Sequence, residues 1–146
     1  MQLTQHTDFG LRLLIVLARK DGGPIALPSF AAEQGLSYNH VAKVAQALGR
    51  AGFIMSHRGR SGGVSLARPA ADITLGEVVR ALEPNLRLAA CASCELRGDC
   101  NSSSILADAL AAFLAVLDGK TLLEAAAPGK PAFAAWSLVP GLAAAS

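Results

Sequence analysis

Aromatic side chains are scarce in this 146-residue chain: Phe, Trp and Tyr make up 5% of it, with one Trp and one Tyr. A core must therefore be built from Ala, Leu, Val and Ile, which supply most of the 52% of hydrophobic residues. Long apolar runs are missing too. The run Leu13–Ala18 is closed by an arginine at each end, and no run approaches the roughly 20 residues of a membrane-spanning helix. The N-terminus lacks the charged leader, apolar segment and small-residue cleavage site of a secretory signal, so a cytoplasmic location without a membrane partner is expected. No nucleophile–base pair and no phosphate-cradling loop is evident, so an enzyme is not expected. A zinc- or cluster-binding enzyme or electron carrier is the alternative of another class.

The net charge of +2 conceals an uneven distribution. Residues 1–68 carry eight Lys or Arg against three Asp or Glu, a net of +5, whereas residues 69–146 carry five against eight, a net of −3. A polyanionic partner therefore belongs to the first half.

The pattern predicts a mainly α chain. Residues 3–19 read as a helix too apolar for a wide solvent face, stopped by Asp21-Gly22-Gly23-Pro24. A short helix from Phe30 to Gln34 follows Pro28-Ser29, and Gly35 ends it. Ser37 is the expected N-cap of a third helix, Tyr38–Arg50, closed by Gly52. Two β-compatible segments, 53–58 and 64–68, flank the basic glycine-rich turn Gly59–Gly63 and read as a hairpin. Thr74 is expected to cap a helix over Leu75–Leu82 that halts at Pro84. Ser103 or Ser104 is expected to cap a long helix to Asp118, with Ile105, Leu106, Leu110, Phe113, Leu114 and Leu117 on one face. A last short helix is expected over Lys120–Ala126. Residues 127–146, rich in Pro, Gly and Ala and holding Trp136, read as a flexible tail.

Helix, turn, helix and hairpin in this order make a winged helix-turn-helix DNA-binding domain over residues 1–83, with the helix-turn-helix at about 28–51 and the wing at 53–68. The second helix of the pair presents Ser37, Tyr38, Asn39, His40 and Lys43 from its N-terminal end, where such helices meet base edges. Asn can read adenine, and Lys can read guanine or meet a phosphate. Arg58 and Arg60, with Ser61, Gly62 and Gly63, form a basic tip suited to phosphates or a narrow minor groove. Double-stranded DNA is the expected partner.

All three cysteines lie within ten residues, at Cys91, Cys94 and Cys100. In a reducing compartment such a cluster reads as metal ligands or redox groups rather than disulfides. Three thiolates suit an iron–sulfur cluster or zinc, and they are one short of the usual four ligands. Residues 84–126 would then join this loop to a long dimerisation helix.

On these motifs the sequence resembles the winged-helix iron–sulfur repressors of the NsrR/IscR type, over about residues 1–126. The stretches Met1–Arg12, Leu36–Val44 and Arg58–Gly63 look like the NsrR, nitric oxide-sensing branch. The resemblance implies a homodimer with one iron–sulfur cluster per subunit, [4Fe-4S] with [2Fe-2S] as the alternative. It further implies a palindromic operator of nitric oxide detoxification genes and nitric oxide as effector. A same-fold regulator responding to cluster supply, iron or redox state is the nearest rival. An IscR-type histidine after the third cysteine is absent, because the histidines are His6, His40 and His57. In the NsrR-like pattern an aspartate of the partner subunit completes the set, and Asp8 stands at that position. Glu95, Asp99 and His6 are the other donors to weigh. The two-residue gap between Cys91 and Cys94 is shorter than is usual in that family.

Overall fold

The computed structural model describes residues 2–20, 23–59 and 62–129. Helix α1 (Gln5–Arg19) begins at Thr4, whose side chain accepts a hydrogen bond from the Thr7 N–H. Its inner side buries Thr7, Gly10, Leu13, Leu14 and Leu17. Helix α2 (Leu27–Glu33) starts earlier than the sequence implies, because Pro28 falls in its first turn, where no N–H is needed. The turn after it uses Gly35 at φ +64°, and α3 (Tyr38–Arg50) follows. Ser37 does sit at the N-cap of α3, but its side chain makes no capping bond; its carbonyl accepts from His40 and Val41 instead. Gly52, at φ +77°, turns the chain out of α3.

Strands β1 (Ile54–His57) and β2 (Gly63–Leu66) pair antiparallel, with Ile54 opposite Leu66 and His57 opposite Gly63. A bridge from Ile25 to Val64, with N···O distances of 2.8 and 2.9 Å in the two directions, pins β2 to the segment ahead of α2. Helix α4 (Leu75–Leu82) carries the expected Thr74 cap, completed by Glu77 into a reciprocal capping box. Helix α5 (Ser102–Asp118) begins before Ser103, with Asn101 at the N-cap and no side-chain capping bond. Ser104 bonds back to Asn101 rather than capping. Helix α6 (Leu122–Ala126) starts two residues later than expected, because Thr121 and Glu124 form a second capping box.

One core holds α1, α2, α3, α4, α6 and the wing together. Phe30, Leu13, Leu14, Leu48, Ile73 and Leu122 are fully buried in it. Helix α1 packs against α3, α4, α6 and β2, whereas α5 packs on α4 and buries no residue. Leu106, Leu110, Phe113, Leu114 and Leu117 of α5 are half-buried, while Ile105, expected among them, is 60% exposed and Val116 66%. No helix among the described residues is long and apolar enough to cross a membrane. The expected tail and Trp136 lie outside the described residues, apart from residues 127–129.

Candidate metal centre and nucleic-acid interface

The cysteine loop takes shape from local hydrogen bonds. A single 3₁₀ turn spans Cys91–Ser93, closed by Cys94 N–H to the Cys91 carbonyl at 3.3 Å. The Arg97 N–H then bonds to the Cys94 carbonyl, and the Arg97 guanidinium reaches back to the Ala92 carbonyl at 3.2 Å. All three thiols are free; Cys94 is exposed, and Cys91 and Cys100 are half-buried. They line one cleft of about 310 Å³ with Ala92, Arg97 and Ser103. Hydrogen bonds from the Ser102 side chain and backbone, at the start of α5, hold the Cys100 thiol below its ordinary pKa of 9.0. That favours the thiolate, the form that binds metal.

The donor set fits a thiophilic metal or cluster by its chemistry and its shared cleft. Among the described residues no three His, Cys, Asp or Glu side chains already converge on one point. The loop must therefore close around whatever it holds. Asp8 does not line this cleft. It sits in the first turn of α1, and its carboxylate is engaged by Arg12 of the next turn at 2.7 and 3.2 Å. Ligation by Asp8 therefore requires that pair to open, and a cleft in a second copy to receive it.

Helix α3 divides cleanly. Val41, Val44, Ala45 and Leu48 are buried, while Ser37, Tyr38, Asn39, His40 and Lys43 face outward, Tyr38 with 51% of its surface exposed. The wing tip presents Arg58, and Gly59 adopts φ +109° there. Arg60 and Ser61 lie outside the described residues. Gly62 and Gly63 serve the wing's own backbone: a Cβ at Gly62 would come 2.6 Å from the His57 carbonyl, and one at Gly63 would collide with the Ile25 backbone. Arg68 is committed inward, stacked on the Phe53 ring at 5.2 Å and paired with Glu77 at 3.2 Å.

The family described as Rrf2, iron-dependent transcriptional regulator, matches residues 3–128. The chain belongs to the Rrf2 family. Among solved structures it is similar to CymR, the global cysteine regulator of B. subtilis, at 30% identity and a TM-score of 0.70, covering 86% of this chain and 96% of that one. The oxidised form of Staphylococcus aureus CymR is 31% identical with a TM-score of 0.73, covering 90% of this chain and all of that one. T. potens IscR is 29% identical with a TM-score of 0.71, covering 86% and 85%.

As an Rrf2 protein the chain is a transcriptional regulator and not an enzyme, and its two-stranded sheet is the wing of a winged-helix fold. Rrf2 regulators bind DNA and typically act as dimers. The structure brings Cys91, Cys94 and Cys100 to one cleft, and Tyr38, Asn39, His40 and Lys43 to one helix end. Sequence reasoning missed Arg97 at the cysteine cleft, although its place between Cys94 and Cys100 was a signal. It also missed that Gln5 and Phe9 of α1 lie beside His40 and Lys43. No periodicity in the sequence joins those two segments.

Proposed function

We propose that this Rrf2 regulator is a homodimeric repressor of the NsrR branch that senses nitric oxide through an iron–sulfur cluster, [4Fe-4S] with [2Fe-2S] as the alternative, and controls nitric oxide detoxification genes. One observation carries the reading: three free thiols share a cleft directly ahead of α5, the helix that buries nothing within its own chain. Cys91, Cys94 and Cys100 are the protein's ligands, and Asp8 of the partner subunit completes the set. When bound, the cluster supplies iron sites open to attack by nitric oxide.

The chain's own residues convert ligation into a grip on DNA. The exposed apolar surface of α5 pairs two copies. Asp8, released from Arg12, ties the α1 of one subunit to the cysteine loop of the other. Helix α1 packs directly on α3, so this tie bears on the spacing of the two α3 helices. Two such helices reading a palindrome sit about 34–36 Å apart, one turn of DNA. Tyr38, Asn39, His40 and Lys43 meet the major groove, Ser37 meets its edge, and the wing tip from Arg58 to Gly63, including Arg60, Ser61 and Gly62, follows the adjacent backbone.

A second reading is a same-fold regulator sensing cluster supply, iron or redox state; the likeness to CymR, solved also in an oxidised form, and the lowered pKa of the Cys100 thiol favour its redox branch. Absorbance and Mössbauer spectra of anaerobically purified protein separate iron–sulfur from zinc. Exposure of that protein to nitric oxide or to oxygen, with binding followed on the duplex upstream of its own gene, separates the effectors. Release by nitric oxide supports the first reading. Release by oxygen or iron removal alone supports the second. Equal binding with the centre intact, damaged or missing defeats both.

A further inference from the structure

A shallow cleft of about 180 Å³ lies between the first two turns of α1 and the outward side of α3, lined by Gln5, His6, Phe9, His40, Lys43 and Val44. Val44 is 1% exposed and Phe9 is half-buried, whereas Gln5, His40 and Lys43 are exposed, so the cleft has an apolar floor and a polar rim. The Phe9 and His40 rings lie 6.4 Å apart at 39°, which links the two helices across it. The rim offers an amide, two imidazoles and an ammonium. Neither nearby carboxylate lines the cleft: Asp8 is paired with Arg12 here and is bound to the cluster in the proposed dimer, while Glu83, anionic and near enough to His6 to feel its charge, accepts from the Thr4 N–H at 2.7 Å. The lining itself is therefore rich in hydrogen-bond donors and includes no acid.

We propose that this cleft seats one sugar–phosphate unit of the DNA strand bordering the groove that α3 enters, with Gln5 and His6 as phosphate contacts and Phe9 against the sugar. The proposal rests on the reading that α3 reaches the major groove by its N-terminal residues. In that pose the backbone edging the groove passes elements packed beside α3; α1 is one of them, with α2, α4 and β1, and it is α1 that shares this cleft with His40 and Lys43. His40 and Lys43 then work on both sides: along the groove and, through the cleft, at its edge. Such a contact adds affinity and register without adding base preference.

A charge swap at the exposed Gln5 tests it, because neither change disturbs the core. Full-length Gln5→Glu and Gln5→Lys are compared with the parent on two duplexes, the region upstream of its own gene and a shuffled sequence of equal length. Thermal melting confirms that both variants fold. Gln5→Glu should weaken binding several-fold on both duplexes. Gln5→Lys should strengthen binding on both and steepen the salt dependence by about one phosphate contact. Lys43→Ala and Arg58→Ala run alongside. If these two weaken binding while both Gln5 variants match the parent, the cleft is not a phosphate seat although α3 and the wing still read DNA. If none of the four variants changes binding, the DNA-facing assignment fails and the cleft proposal falls with it.

Discussion

Arg80 on α4 clasps Asp118, the last residue of α5, through two hydrogen bonds of 2.5 and 2.6 Å. This pair holds the end of α5 against the winged domain, and Gly76 makes room for it. A Cβ at Gly76 would collide with the Asp118 carboxylate. Gly76→Ala should therefore have opposite signs in two backgrounds. In the parent it displaces Asp118, and amide exchange in the last turn of α5 should quicken. With Asp118→Ala already in place, the same change should stabilise α4 by at most about 0.5 kcal/mol, because Gly76 lies in its first turn and the full preference of about 0.5–1 kcal/mol for Ala over Gly belongs to helix interiors. Urea denaturation of the four proteins checks the sign.

Gly10 marks a close approach of α1 to α4. A Cβ there would overlap the Leu82 side chain and lie 3.5 Å from Val44. Leu82 is buried and has little room to retreat. Gly10→Ala should destabilise the protein by about 1–3 kcal/mol, as overpacking of a core does. Adding Leu82→Val should return part of that loss, read as the urea midpoint.

The wing depends on Gly63. A side chain at this position meets the Ile25 main chain, which cannot rotate away as a side chain can. Gly63→Ala should break the Ile25–Val64 bridge and let the hairpin swing from the body. Amide exchange at Ile25 and Val64 should rise, and binding to any duplex should weaken. Gly23→Ala is the control, because a Cβ there meets nothing within 4 Å.

Acid should weaken the fold through its capping boxes and through Glu83. The Thr74 backbone N–H, together with Arg68, holds the Glu77 carboxyl below its ordinary 4.5. Thr121 does the same for Glu124. At Glu83 burial pushes upward, but hydrogen bonds from Thr7 and Thr4 leave the net shift downward. Each group thus takes up a proton more readily in the unfolded chain. Their contribution is present above pH 4.5 and is lost as the pH falls through the depressed folded values. Denaturation midpoints should fall below that pH, and Glu77→Gln should flatten the fall.

The cysteine loop should be dispensable for folding. None of its residues enters the core, and Cys94 is exposed. Cys94→Ala should abolish visible absorbance of the anaerobic protein while leaving its urea midpoint and dimer mass near those of the cluster-free parent. Unfolding of this variant would make the loop a structural element.

The elements that were legible in the sequence are those set by near neighbours in the chain. Thr74 ahead of Leu75, Gly52 after Arg50, and the glycine-rich turn at Gly59 between two β-compatible segments are each settled within one or two turns, because caps and positive φ angles are local requirements. The buried face of α3 was legible for the same reason, since Val41, Val44, Ala45 and Leu48 follow helical spacing. So was the thiol cluster, whose members share one loop. Where local rules competed, reading failed: Pro28 started α2 early, and Asn101 displaced Ser103 and Ser104 at the start of α5.

The sequence by itself determined a basic, mainly helical first half with a hairpin, followed by a thiol-bearing loop and a long helix. The tertiary structure alone decided what lies against what. Thr4 holds Glu83 from 79 residues away, and Arg80 holds Asp118 from 38. Gly63 lies against Ile25, and Gln5 shares a cleft with Lys43. Contacts of this kind depend on how whole helices pack around Phe30 and Leu48, and side-chain volumes many residues apart set that packing. A periodic pattern tells which face of a helix is buried, but the partner that covers it is settled only when all the helices fill one core.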